Sequence, residues 1–343
     1  MKRRRRGISR REPYRADISP RATEQRREGD TMYGKTLILV TGGHRSGTTW
    51  VGNTLAAAPR TAYIQEPFNP GAPYRHTEFR ARIWFERLAA PARDEASRSL
   101  GRLFNLQWMR KEFRASQGRR VPPLTRSRVA NKLLAAVRQA MLRAAVIKDP
   151  LALFSADWLV ERFGVRPVVM IRHPAAFVSS LLLKGWRFSL GEFLKQRHAI
   201  DEFFPEERER IERADRERKV DALTEAAILW TLIHKAILVY RRRHPEWVYL
   251  RHEDVSRDPE QRFRELYAKL GLPFTPEVRK FLKDHTQAHD RAELTTSTDP
   301  SDIVRDSQAN IRAWSKRLAP AEIETVRDLC EPVASEFYSD SDW

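Results

Sequence analysis

The stretch KTLILVTGGHRSGTTW, residues 35–50, constrains the fold more than any other part of the chain. Its run TLILV (36–40) has the length and apolar character of a buried strand, and TTWVGNTLAAA beyond the turn has helical periodicity. Between them, Gly42, four residues and Gly47 have the spacing of a phosphate-binding loop. The chemistry behind that spacing is simple. Glycines let the backbone approach an anion, several N–H groups turn inward, and the helix N-terminus adds partial positive charge. Thr48 and Thr49 add hydroxyl donors. The residue after Gly47 is Thr48, where a nucleotide triphosphatase carries lysine, and Arg45 stands two residues before that glycine. With no aspartate evident to hold magnesium, the loop suits a terminal phosphate better than a metal-bound triphosphate, and no metal is expected.

The rest of the chain repeats the strand-then-helix pattern. AYI (62–64), AAVIK (144–148), PVVMI (167–171) and WVYL (247–250) are further strand-length runs, and FSADWLVERF, AAFVSSLLL and PEQRFRELYAKLG follow three of these with helical spacing. Continuous apolar strands alternating with helices are the mark of a parallel sheet covered on both faces. The expected fold class is therefore α/β: a P-loop-containing, doubly wound parallel sheet flanked by helices. Two long helical insertions are expected, at about 76–142 and 186–243. Within the second, PEERERIERADRERKV is so charged that it reads as a solvated helix face or a mobile segment. Residues 1–34 carry eleven Lys/Arg against five Asp/Glu and no periodicity, so they read as a basic, disordered tail before a domain spanning 35–343. Met32 is an alternative start.

Two further groups of residues carry chemistry. PVVMIRHPAAFVSSLL sets Arg172 at a strand end and Ser180 two helical turns on. A guanidinium offers a planar fork to a phosphate dianion, and a serine hydroxyl can join it on the same group. AYIQEPFNPG places Glu66 just after the second strand, and VIKDP places Lys148 at the end of the third. His44, His76 and His173 are alternative proton acceptors to Glu66, and each also reads as a loop hydrogen-bonding residue.

Taken together, these blocks resemble the sulfotransferase family that uses 3′-phosphoadenosine 5′-phosphosulfate (PAPS), in its carbohydrate and bacterial branch. Arg45-Ser46-Gly47-Thr48-Thr49 matches the family's 5′-phosphosulfate loop, and Trp50 the aromatic that stacks on adenine in the cytosolic branch. Arg172 and Ser180 match the 3′-phosphate site. The resemblance implies Glu66 as general base, in place of the histidine of the cytosolic branch, Arg45 at the bridging oxygen of the donor, and Lys148 on sulfate oxygens. VRDSQANIRAWSKRL resembles the C-terminal block of the carbohydrate branch, which implies that Arg305 and Ser307 close over the 3′-phosphate. Trp314, Cys330 and Glu253 read as structural. The implied activity is sulfuryl transfer to a hydroxyl or amine of a saccharide, glycolipid or small hydroxyl compound, with adenosine 3′,5′-bisphosphate as product.

Composition narrows the alternatives. The 63 basic and 45 acidic residues give a net charge of +18, which favours anionic partners without choosing among nucleotide, acidic saccharide, nucleic acid or membrane surface. A P-loop kinase or NTPase shares the strand–loop–helix but needs the missing lysine and leaves Arg172 and Ser180 without a purpose. A basic nucleic-acid-binding protein fits the charge, yet the excess outside the tail is dispersed and no recognition motif is visible. A single cysteine, Cys330, precludes an intramolecular disulfide. No secretory h-region follows the N-terminal basic residues, and no window approaches the roughly 20 apolar residues of a membrane span. The expectation is a cytoplasmic location. Neither oligomeric state nor the acceptor can be read from the sequence.

Overall fold

All five strand-length runs form strands in the computed structural model, which describes residues 34–72, 74–90, 92–106, 137, 140–217, 220–286 and 311–343. They are β1 (Thr36–Gly42), β2 (Thr61–Gln65), β3 (Ala144–Lys148), β4 (Arg166–Ile171) and β5 (Val248–Arg251). Every pairing is parallel and the order is β2-β3-β1-β4-β5. The chain leaves β1 and crosses to both sides of it, so the C-terminal end of β1 is the switch point, where open parallel sheets leave a crevice for ligands.

Side-chain alternation along the strands explains why both faces are covered. Leu37 and Leu39 of β1 join one core, while Ile38 and Val40 join the other. Helices α1 (Thr48–Ala56), α8 (His252–Arg257), α9 (Pro259–Leu270) and α10 (Pro276–Thr286) contribute to the second core. The first core takes α2 (Ala92–Phe104), α3 (Ala156–Phe163), α4 (Pro174–Lys184), α5 (Arg197–Phe203), α7 (Ala222–Arg243) and α11 (Pro320–Ala334). A further helix, α6 (Arg208–Glu217), buries only Ile211, in keeping with the solvated face expected of that charged segment. Cys330 is wholly buried in α11.

Three expectations need adjusting. The interval 186–243 is helical, but α7 is a central core helix rather than an appendage. Its 22 residues have the length and apolar composition of a membrane span, contrary to the expectation that no window would, and 61% of its most apolar window is buried inside the protein. In the interval 76–142, residues 76–90 form no helix; an Arg87 guanidinium pins this stretch to Asp157 and Glu202, with Arg87 Nε 2.9 Å from Glu202 Oε2. The tail at 1–34 lies outside the described residues except for Gly34.

Gly42 is fixed by the neighbouring strand. Its φ is +124°, and a Cβ there would stand 2.2 Å from the Met170 carbonyl oxygen of β4. Gly42→Ala therefore forces β1 and β4 apart where the phosphate loop begins, and its cost is expected to reach about 3 kcal/mol or more. Chemical denaturation followed by circular dichroism checks this: a loss under about 1 kcal/mol would show that the strand ends yield freely.

Candidate active site

The phosphate loop is built by three left-handed residues: Gly42, Arg45 (φ +62°) and Gly47 (φ +86°). Alternation of left- and right-handed backbone turns successive N–H groups toward one concavity. Gly47 is also the N-cap of α1 and makes no side-chain cap, so the free N–H groups of the first turn open onto the same place. A Cβ at Gly47 would lie 2.6 Å from His252 Nδ1. The loop thus runs against the start of α8 with no room for a side chain. Ser46 is fully buried and its Oγ has no hydrogen-bond partner among the described residues. A buried hydroxyl left so costs free energy, and an anion seated on the loop would satisfy it. The loop therefore fits a phosphate or sulfate group.

The segment carrying Arg172 and Ser180 meets this loop. Arg45 Nε donates to Ser180 Oγ at 3.0 Å, a contact between residues 135 positions apart. Arg172, at the end of β4, donates a guanidinium N–H to the Arg45 carbonyl. The Arg172 carbonyl in turn accepts from Trp230 Nε1 of α7 at 2.8 Å, which anchors the strand end from behind. Ser180 lies three residues, nearly one turn, beyond the buried Phe177 on α4 and is itself 6% exposed. Arg45, Arg172 and Ser180 form one cluster, from the loop after β1, the end of β4 and the middle of α4.

Glu66 and Lys148 form a second cluster one strand away. Gln65, Lys148 and Val40 are in register across β2, β3 and β1, so Glu66 follows at the same edge. The Lys148 ammonium is ion-paired with Glu66 Oε1, and Asn69 Nδ2 donates to Glu66 Oε2 at 2.8 Å. Lys148 is almost completely buried, and the absence of a side chain at Gly52 on α1 leaves space for its stem: a Cβ there would be 3.0 Å from Lys148 Cγ. Burying an ammonium is costly unless it is paired, so Glu66 stabilises it and is held by it. Glu66 also has a left-handed backbone, φ +48°, which turns the chain out of β2 toward the sheet edge.

Asp149 organises this turn, a role sequence reasoning missed. Its Oδ2 accepts from the Phe68 N–H at 2.6 Å and its Oδ1 from the Leu151 N–H at 3.0 Å. The signal was present in VIKDP, since an Asp before a Pro is a favoured helix start, here of the turn of 3₁₀-helix Pro150–Ser155. Burial pushes the Asp149 carboxyl up to about 7, and the Glu66 charge adds to this; the Phe68 and Leu151 N–H groups and Lys148 oppose it.

The remaining sequence candidates are placed as follows. Thr48 is buried at the first position of α1, with Thr49 half-buried beside it. Trp50 does not present an open face: it is 9% exposed, in T-shaped contact with Phe263 at 5.4 Å and His252 at 6.0 Å. From α1 it packs against Phe263 of α9 and His252 of α8. Arg305 and Ser307 lie outside the described residues. Burial lowers His44 to about 4 and His173 to about 3, so both rings are neutral at pH 7. His173 is enclosed by Trp314, stacked at 5.0 Å, with Tyr338 and Trp343. Glu253 accepts from the His173 N–H at 3.0 Å and from Tyr338 Oη at 2.9 Å, a structural role, as expected.

A five-stranded parallel sheet with an anion loop at its switch point defines a P-loop-like α/β protein. The sequence matches the Sulfotransferase family over residues 38–276, and the chain belongs to that family. It is 30% identical over 95 residues to carbohydrate sulfotransferase 3 of Rattus norvegicus, covering 26% of this chain and 19% of that protein. It is 36% identical over 86 residues to carbohydrate sulfotransferase 5 of Mus musculus, covering 24% of this chain and 20% of that protein. The match thus spans about a fifth of the length of each relative. Among solved structures, the sulfotransferase domain from the Synechococcus PCC 7002 olefin synthase aligns with a TM-score of 0.44 at 16% identity, over 91% of this chain and 97% of that one. A sulfotransferase from Mycobacterium avium aligns with a TM-score of 0.41 at 14% identity, over 89% and 77% respectively.

The raised value of Asp149 makes stability depend on pH. Because the folded value lies above the ordinary 3.8, the stability from this group is fully present below about pH 4 and is lost as pH rises through about 7. Asp149→Asn is expected to lower stability overall, by releasing the Phe68 N–H, while flattening that decline. Urea unfolding at pH 5 and pH 8 measures both, and an unchanged decline in the variant would assign it to other groups.

Proposed function

We propose that this chain transfers a sulfuryl group from PAPS to a hydroxyl of a carbohydrate by in-line displacement. The observation that carries the proposal is the bond from Arg45 to Ser180, with Arg172 holding the Arg45 carbonyl. Two segments suited to two different phosphates open onto one site, as a donor phosphorylated at both its 5′ and 3′ positions requires. Family membership supports PAPS as that donor, and the names of the matched relatives support a saccharide acceptor.

In this reading the loop N–H groups, Ser46, Thr48 and Thr49 bind the 5′-phosphosulfate, and Arg172 and Ser180 bind the 3′-phosphate. Glu66 accepts the acceptor hydroxyl proton. The acceptor oxygen forms its bond to sulfur as the bond from sulfur to the phosphate oxygen breaks, and that oxygen keeps the electron pair in adenosine 3′,5′-bisphosphate. Negative charge grows on it during the step, so the Arg45 guanidinium is stabilising there more in the transition state than before it. Lys148 neutralises sulfate oxygens and keeps Glu66 aimed. Membership of this family leaves the kinase and nucleic-acid-binding alternatives without support.

Glu66→Gln keeps the size of the side chain and removes the proton acceptor. Its kcat in a radiolabelled-sulfate transfer assay is expected to fall by about 10²- to 10⁴-fold, with calorimetric affinity for adenosine 3′,5′-bisphosphate nearly intact. A variant with near-normal turnover would exclude Glu66 as the base.

A further inference from the structure

Two tryptophans stand exposed on either side of the proposed chemistry, and the reaction as derived uses neither. Trp186 is 44% exposed and Trp84 38%. Large rings kept in water forgo the burial that normally stabilises them, and grouped exposed aromatics mark binding surfaces. Trp186 follows the C-terminus of α4, and the Arg45 guanidinium lies 5.4 Å from its ring centre. The His44 ring runs nearly parallel to it, 6.5 Å away at an interplanar angle of 28°. Trp84 lies beside the Glu66 turn: a Cβ on Gly71 would be 3.4 Å from its Cζ2, and Gly71 N donates to the same Asn69 whose amide holds Glu66.

One buried floor links the two rings. Phe85, adjacent to Trp84, contacts His44 at 5.7 Å and Phe188 at 5.6 Å, and Phe188 is two residues from Trp186. Phe85 is fully buried and has a left-handed backbone, φ +54°, an arrangement that turns its neighbour Trp84 outward. Of the aromatics at 79, 84, 85 and 104, the sequence could not separate core from surface. Phe79, Phe85 and Phe104 are buried and Trp84 is not.

Resting on the function proposed above, we propose that Trp84 and Trp186 form a two-sided aromatic platform that receives a pyranose ring of the acceptor. A sugar has an apolar C–H face for a ring to cover and a polar rim that stays wetted. An indole matches that surface, and the flanking Arg45 and Glu66 place a hydroxyl on the rim beside the reacting groups. The two rings determine acceptor specificity and bind no part of the donor.

The test uses the full chain, with Trp84→Ala, Trp186→Ala and the corresponding Phe variants. Acceptors are disaccharides containing glucose, galactose, N-acetylglucosamine or glucuronic acid, alongside 2-naphthol. Each Ala variant is expected to raise the KM for the best saccharide roughly three- to tenfold, with Phe restoring most of the loss and adenosine 3′,5′-bisphosphate affinity unchanged. Saccharide binding should also perturb tryptophan fluorescence in the wild type and less so in each variant. Unchanged KM values, a saccharide-independent fluorescence, or 2-naphthol as the only acceptor would overturn the platform. Loss of bisphosphate affinity in both Ala variants would do so too, by moving the rings to the donor. Failure of the underlying reading looks different: a wild-type chain that neither binds bisphosphate nor transfers sulfate.

Discussion

The contact on which the site depends is the reach of Arg45 across to Ser180. Arg45 belongs to the loop that leaves β1 where β4 approaches closely at Gly42. Ser180 belongs to α4, whose start is fixed by the end of β4. One hydrogen bond of 3.0 Å thus joins the two crossovers that leave the sheet on either side of its switch point. The Arg172 N–H to the Arg45 carbonyl closes the same junction from the backbone side. Arg172 is held at a strand end and Ser180 midway along α4, so an anion would meet a cluster assembled before it arrives, with only the Arg45 side chain left to turn toward it.

The carboxylate–ammonium pair obeys a different constraint. Lys148 is on a strand buried on both faces, so its charge cannot remain there without a partner. Glu66 meets that need from the neighbouring strand end, and the Asp149 carboxylate fastens the turn behind it through two backbone N–H groups. The site thus has two polar clusters, one at Arg45 and one at the Lys148–Glu66 pair, on the ends of neighbouring strands.

Much of this was legible in the sequence because the strands are continuous apolar runs, and such runs have few other ways to be buried. The order of Arg45, Gly47, Arg172 and Ser180 relative to the strands then brought them to one edge. What failed did so for physical reasons. The packing of Trp50 on Phe263 was not legible, because a tryptophan after the loop has the same letter whichever neighbour its ring meets. Helix α7 reads as an insertion because its position in the chain says nothing about how centrally it packs. For Asp149 the Asp-Pro pair points only to the local bond with the Leu151 N–H; its second partner, the Phe68 N–H, comes from a segment 81 positions away. Trp84 and Trp186 differ from their buried neighbours only in the direction that the backbone sends them.

The proposed reaction requires one site to hold both phosphates of one nucleotide. A crystal structure of the chain with adenosine 3′,5′-bisphosphate tests this most directly. The 5′-phosphate is expected on the N–H groups of residues 45–49, the 3′-phosphate between Arg172 and Ser180, and the Arg45 side chain turned from Ser180 toward the 5′ end. A bisphosphate bound away from either segment, or with only one phosphate held and the other in solvent, would contradict it.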